Sequence, residues 1–296
     1  MGVSFIQYHT GTDLQIGSWA ILVSSLCFLT ISCYYLYIGY TFYDDDFTQS
    51  SFLILFLSSL LFLYASALFV AGSYPSEIIK LKSTQSQYHM SRLSFMEKYF
   101  TGNYFLSGLW LAVISILPVV VYVIWAYAAG VIDIAIFLFF LGVILLVYST
   151  LALWIVASFP ESLQSNDGMG STYFFDAFCC FDCFFDNRVF VKKHLSPDFL
   201  AASWIFAVLA MAGVVVSSYL LYDYYLSPDL WIYIIFFVST LILSTGALLF
   251  VYGTYPFNIG GSNLFWQLLC CESPLEPTEM EIESMRREDE RRSLLL

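Results

Sequence analysis

The stretch ALFVAGSYP at residues 67–75 recurs with variations as ALWIVASFP at 152–160 and as LLFVYGTYP at 248–256. Each copy closes a long apolar run and ends in proline, which stops a helix because its ring removes the backbone N–H and clashes with the preceding turn. The three prolines stand 85 and 96 residues apart (160 − 75 and 256 − 160). A motif that returns at such intervals predicts an internally repeated architecture.

A second motif opens the apolar runs that precede these endings. It reads HTGTDLQIGSW at 9–19, FTGNYFLSGLW at 100–110 and HLSPDFLAASW at 194–204. Together the two motifs define three copies of a two-span hairpin. Because each copy has an even number of spans, all copies keep one orientation in a membrane. The predicted fold is therefore an all-α integral membrane bundle of six transmembrane helices, with pseudo-threefold symmetry along the membrane normal.

The composition requires a membrane environment. Hydrophobic residues make up 59% of the 296 residues and charged residues only 11%, whereas a soluble domain carries about 25% charged residues. Six apolar runs have the roughly 20 residues that a bilayer crossing needs. The predicted spans are 14–40 and 51–73 in repeat 1 (1–75), 104–130 and 134–158 in repeat 2 with its connection (76–160), and 199–222 and 230–254 in repeat 3 with its connection (161–256), followed by a tail at 257–296.

The positive charges predict the orientation. All eleven Lys and Arg residues lie between spans two and three, between spans four and five, or in the tail. By the positive-inside rule, both termini are cytoplasmic and the three short turns face the other side. The net charge of −12 argues against a nucleic-acid partner, which would require a basic surface. The predicted partner is the lipid bilayer itself, and the sequence does not predict an oligomeric state.

Small residues recur at seven-residue intervals before each proline, so they share one helix face. Eight of the nine positions are small, and we expect the even-numbered helices to pack tightly through this stripe. The alternative is that the stripe lines a pore. Its members are Ser58, Ala65, Gly72, Thr150, Ala157, Ser239, Gly246 and Gly253, with Val143 as the ninth position.

The short turns carry only acidic charge. If a path runs through the bundle, these carboxylates would attract cations to its mouth. The acidic residues are Asp44, Asp45, Asp46, Asp133, Asp223 and Asp229.

Five cysteines lie in the segments predicted to be cytoplasmic, next to membrane spans, which is the setting of S-palmitoylation. Unmodified thiols and a metal site are the alternatives; Cys180, Cys183 and His194 would provide three zinc ligands, without a clear fourth. The sequence predicts no cofactor and no complete metal site. The candidates for acylation are Cys179, Cys180, Cys183, Cys270 and Cys271.

The chain ends in ERRSLLL. Glu290, Leu294 and Leu295 have the spacing of an acidic dileucine signal, which clathrin adaptors read on cytoplasmic tails. This pattern predicts a eukaryotic protein of the endosome, lysosome or vacuole; without a working signal, the plasma membrane is the alternative.

No pattern typical of catalysis is visible, and the interiors of the six spans hold no Asp, Glu, Lys, Arg or His. Intramembrane ionisable residues are typical of proton relays and ion-coupled transport. The sequence therefore favours a passive channel or facilitator for a small ion or solute, and not an enzyme. A structural or trafficking protein that organises a membrane patch is the main alternative, and a lipid-active membrane enzyme is the second.

Overall fold

The computed structural model of this chain describes residues 11–42, 46–74, 94–159 and 198–254. These residues form six long α-helices, which we number in chain order. They are α1 (Asp13–Phe42), α2 (Asp46–Gly72), α3 (Tyr104–Ala128), α4 (Ile134–Ala157), α5 (Asp198–Asp223) and α6 (Leu230–Gly253). Each predicted apolar run is a helix, and α2 begins five residues before the predicted span.

All six helices are long and apolar enough to cross a membrane. The shortest has 24 residues and is therefore about 36 Å long, more than the roughly 30 Å hydrocarbon core of a bilayer. Large side chains such as Val215 and Tyr219 remain exposed on the outer faces, as expected where lipid is the solvent. The chain is a multi-pass integral membrane protein.

The helices form a closed ring in chain order. Each of α2 to α5 packs against the helix before it and the helix after it, and α6 packs against α1 to close the ring. We call the end of the ring at which the short turns lie the turn end. The opposite end, at which the segments 75–93, 160–197 and the tail attach, is the connection end.

Hydroxyl pairs join neighbouring helices inside the ring. Ser24 Oγ of α1 donates to the Ser239 carbonyl of α6 at 3.0 Å. The Ser25 and Ser66 hydroxyls, on α1 and α2, lie 2.7 Å apart, as do those of Ser217 and Thr240 on α5 and α6. Interhelical hydrogen bonds of this kind stabilise helix association in lipid, where burying apolar surface gives no driving force.

Local sequence explains the helix ends. Asn103 and Asp133 cap α3 and α4, accepting from the backbone N–H groups of Leu106 and Ile136. Before α3, Ser94 and Glu97 bond reciprocally as a capping box, and a π-helical turn follows at Glu97–Thr101. The backbone N–H and the hydroxyl of Ser94 both donate to the Glu97 carboxylate, which lowers its pKa.

A candidate apolar chamber on the ring axis

A cavity of about 370 Å³ lies on the axis of the ring, towards the connection end, and all six helices contribute to its wall. We call it the connection-side cavity. Eight of its 21 lining residues are phenylalanines. Apart from the Trp154 indole N–H, the Thr150 and Thr240 hydroxyls are the only polar side-chain groups among the described residues that line it. Both hydroxyls already donate to backbone carbonyls of their own helices. The wall is therefore apolar and aromatic throughout.

Aromatic rings close this cavity at the connection end. Phe105, Phe199 and Phe250 lie with their ring centroids 6.1–6.2 Å apart, and Trp154 lies 5.7 Å from Phe250. The Trp154 indole is also fixed by hydrogen bonds from Nε1 to the Phe199 carbonyl and to Ser203 Oγ, both at 3.1 Å. Such edge-to-face and offset contacts are the favoured aromatic geometries, and they make the seal a packed cluster.

A second cavity, of about 450 Å³, adjoins the first towards the turn end. We call it the turn-side cavity. The two share four lining residues, which are Phe28, Phe62, Ile116 and Phe236. Its wall comes from every helix except α4, whose first turns expose large apolar side chains such as Leu138 and Phe139. No described residue of α4 therefore lines this cavity, although α4 packs against α3 and α5 in the ring.

The polar groups of the chamber gather in the turn-side cavity, which Ser58, Ser59, Ser115, Tyr35 and Tyr233 help to line. Ser59 and Ser115 donate to backbone carbonyls of their own helices, the usual arrangement for a serine within a helix. Ser58 differs: it is 8% exposed, and its hydroxyl has no hydrogen-bond partner among the described residues. Burying a hydroxyl without a partner costs about 1–3 kcal/mol.

The structure places the predicted stripe at the joints between helices. All eight small members are buried, whereas Val143 is 40% exposed. A Cβ added at Gly253 of α6 would lie 2.7 Å from the Leu14 backbone nitrogen of α1, and one at Gly72 of α2 would lie 2.8 Å from the Phe105 ring of α3. Two members also line a cavity, Thr150 the connection-side cavity and Ser58 the turn-side cavity.

Among the described acidic side chains, Asp133, Asp223 and Asp229 line neither cavity. Asp133 caps α4, Asp223 ends α5, and Asp229 precedes α6 and accepts a hydrogen bond of 2.9 Å from the Tyr34 hydroxyl. Asp46 begins α2, whereas Asp44 and Asp45 lie outside the described residues. Attraction of cations by these turns stays a prediction.

Two further groups of predicted residues lie outside the described part of the chain. They are the acylation candidates Cys179, Cys180, Cys183, Cys270 and Cys271, and the sorting residues Glu290, Leu294 and Leu295. Within residues 11–42, 46–74, 94–159 and 198–254, no group of three His, Cys, Asp or Glu side chains is placed to bind a metal.

Comparison with protein-family profiles, curated proteins and solved structures found no match to this chain.

Proposed function

We propose that the protein is a non-enzymatic passive facilitator that lets small uncharged molecules enter and cross along the axis of the helix ring. The observation that carries this proposal is the axial chamber, to which all six helices contribute an apolar wall. An uncharged solute gives up hydrogen bonds with water on entering such a space, but this costs far less than the burial of an ion. Within the described part of the chain, the titratable groups that line the two cavities are the phenols of the turn-side cavity.

The same wall disfavours ions. An isolated charge in a medium of low dielectric constant is strongly destabilised relative to water, and apolar constrictions block ion flow by excluding water. The aromatic cluster of Phe105, Phe199, Phe250 and Trp154 is such a constriction. Of the solutes that the sequence allows, the geometry therefore favours uncharged ones, with the aromatic cluster as the gate.

Recurring contacts support the threefold repeat as part of this proposal. Gly253 of repeat 3 meets Leu14 of repeat 1, and Gly72 of repeat 1 meets Phe105 of repeat 2. Both glycines stand three residues before the motif proline, and both partners hold the same place in the opening motif. The even helix of one copy thus contacts the odd helix of the next in the same way at two joints, as a ring with a pseudo-threefold axis requires.

Flux through purified protein in liposomes tests the function. We expect urea, glycerol or ethylene glycol to equilibrate faster than in protein-free liposomes, while K⁺ and Cl⁻ permeabilities stay at the protein-free level. Gly213 lines the connection-side cavity, and a Cβ there would meet only Thr240 Cγ2, at 3.8 Å. Gly213→Leu should therefore fill the path and slow the flux at least tenfold.

Gly142→Leu is the matched control for this experiment. Gly142 is exposed on α4 and a Cβ there would meet nothing within 4 Å, so flux should not change. Ion flux above the protein-free level would contradict the exclusion of charge. No acceleration for any solute would overturn the passive path and favour a membrane-organising role instead.

We further propose that both termini are cytoplasmic, since all eleven basic residues lie on the side of the connections and the tail. An epitope tag inserted after Asp133 should then be accessible only from the lumenal or extracellular side, and tags at either terminus only from the cytosol. Selective permeabilisation of cells, followed by antibody staining, measures this. A terminal tag that stains without permeabilisation would reverse the assignment.

We also propose an endolysosomal or vacuolar location, reached through recognition of the tail by clathrin adaptors. Changing Leu294 and Leu295 to Ala should shift the protein to the plasma membrane, because an adaptor binds both leucines in an apolar pocket. Surface biotinylation and microscopy in a eukaryotic host measure the shift, with Leu296→Ala as the control. An unchanged distribution of the double variant would remove this assignment. S-acylation of the cytoplasmic cysteines remains part of the proposal.

A further inference from the structure

The turn-side cavity contains a polar position that the passive path does not explain. Ser58 is among the residues that line this cavity, its side chain is nine-tenths buried, and its hydroxyl has no hydrogen-bond partner among the described residues. Its neighbour in sequence, Ser59, shows that a serine of α2 can satisfy its hydroxyl on the helix itself, because it donates to the Leu55 carbonyl at 2.8 Å. A buried hydroxyl without a partner requires an explanation, and a molecule bound beside it is one of them.

The shape of the chamber limits the ligand. The two adjoining cavities have volumes of about 370 and 450 Å³, and their lining on α3 runs from Phe105 to Val119. At about 1.5 Å per residue this is about 21 Å along the axis. One acyl chain spans a leaflet, or about half of the roughly 30 Å hydrocarbon core. The chamber is therefore long enough for one extended hydrocarbon chain together with its polar head.

The lining limits the head group. Among the described residues that line the turn-side cavity, Tyr35 and Tyr233 are the only titratable ones, and none is Asp, Glu, Lys, Arg or His. An anionic head would therefore be buried without a counter-charge from these residues, which is costly. An uncharged hydroxyl or ester head needs only a hydrogen bond, which Ser58 can donate or accept.

We propose that the chamber is a binding site for one neutral single-chain lipid of the monoacylglycerol or long-chain alcohol class. The tail occupies the connection-side cavity among the phenylalanines, and the head bonds to Ser58 in the turn-side cavity. The wall of that cavity lacks α4, so the ligand enters from the bilayer at that side of the ring. This inference rests on the proposed function, because it assumes that uncharged molecules enter the chamber. It adds that one such molecule, the neutral lipid, stays bound there.

Photolabelling of the purified full-length chain tests the site. The probe is a monoacylglycerol with a diazirine at the end of its acyl tail, and the competitor is unlabelled monoolein. We expect saturable labelling of residues that line the connection-side cavity, such as Leu109 and Leu243. Gly213→Leu should lower the competable labelling at least tenfold, and Gly142→Leu on the exposed face of α4 should leave it unchanged.

The head-group contact has its own pair of variants. Ser58→Ala should weaken monoolein competition about three- to tenfold, which corresponds to the loss of one net hydrogen bond. It should not lower thermal stability, because it removes a buried hydroxyl without a partner. Ser149→Ala is the control, since Ser149 is exposed, donates to the Leu145 carbonyl and lines neither cavity.

Two results would overturn the lipid site. One is equal labelling of Gly213→Leu and Gly142→Leu, which would mean that only lipid around the ring is labelled. The other is competition by cholesterol but not by monoolein, which would exclude a single chain. Solute flux without competable labelling would overturn this inference alone, whereas labelling without flux would overturn the passive path and leave the lipid site standing.

Discussion

Gly253→Leu is expected to prevent the ring from closing. A Cβ at Gly253 of α6 would lie 2.7–2.8 Å from the N, Cα and Cβ atoms of Leu14, closer than non-bonded atoms approach. Two of these atoms are backbone atoms in the first turn of α1, so rotation of a side chain cannot relieve the clash. The two helices must separate, and the cost should exceed the roughly 1–3 kcal/mol of ordinary overpacking.

The measurement is thermal unfolding in detergent, together with size-exclusion chromatography. We expect the midpoint to fall by about 10 °C or more, or the monodisperse peak to be lost. Gly142→Leu makes the same chemical change where a Cβ meets nothing within 4 Å, and we expect it to fold normally. Equal behaviour of the two variants would show that close approach of α6 and α1 has no special importance.

Gly72→Leu provides an intermediate case. The nearest atoms to a Cβ there, at 2.8–3.2 Å, belong to the Phe105 ring, which can turn aside as a backbone cannot. Its cost should lie between those of the other two variants. The sequence ranks these two glycines equally, because both stand three residues before a motif proline, and only the identity of the opposing atom separates them.

The sequence predicts those parts of the fold that depend on local pattern. Apolar run length predicts all six helices, and Asp133 and Tyr104 mark starts that the structure places within one residue. The start of α2 is missed because residues 46–50, which read DFTQS, are too polar for the core of a bilayer. A helix can extend beyond the hydrocarbon, where water and headgroups solvate its side chains.

Contacts between distant residues could not be predicted in this way. Gly17 was not singled out, although a Cβ there would lie 2.7 Å from the Gly246 carbonyl oxygen and 2.8 Å from the Phe250 nitrogen. The feature of the sequence that marks Gly17 is that Gly108 and Ala202 hold the same place in the other two copies of the opening motif. A small residue repeated at one motif position indicates a close helix approach, but not its partner.

The chamber was missed for a related reason. Its phenylalanines are scattered through five of the six helices, and in an apolar span a phenylalanine that faces the axis looks like one that faces lipid. Ser58 was assigned to the packing stripe because it is small. What distinguishes it is the missing hydrogen bond, which depends on side-chain orientation and on the neighbouring helices.

Trp154→Ala should have the second large effect, because Trp154 anchors the seal of the chamber. The indole is 5% exposed and its ring lies 5.2 Å from Phe206 and 5.7 Å from Phe250. Truncating a buried aromatic side chain to alanine costs about 3–5 kcal/mol. Thermal unfolding in detergent should therefore show a strongly lowered midpoint.

Trp154→Phe separates packing from hydrogen bonding at this position. It keeps an aromatic ring but loses the two bonds from Nε1, and the Phe199 carbonyl retains a donor because Ser203 Oγ bonds to it at 2.7 Å. The expected cost is therefore only about 0.5–1.5 kcal/mol. Trp125→Ala, at a 42% exposed position near the turn end, should cost less than Trp154→Ala. If Trp154→Phe proved as damaging as Trp154→Ala, the hydrogen bonds of Trp154 Nε1 rather than the aromatic packing would stabilise the aromatic cluster. The gate would then have to be assigned to the contact between α4 and α5.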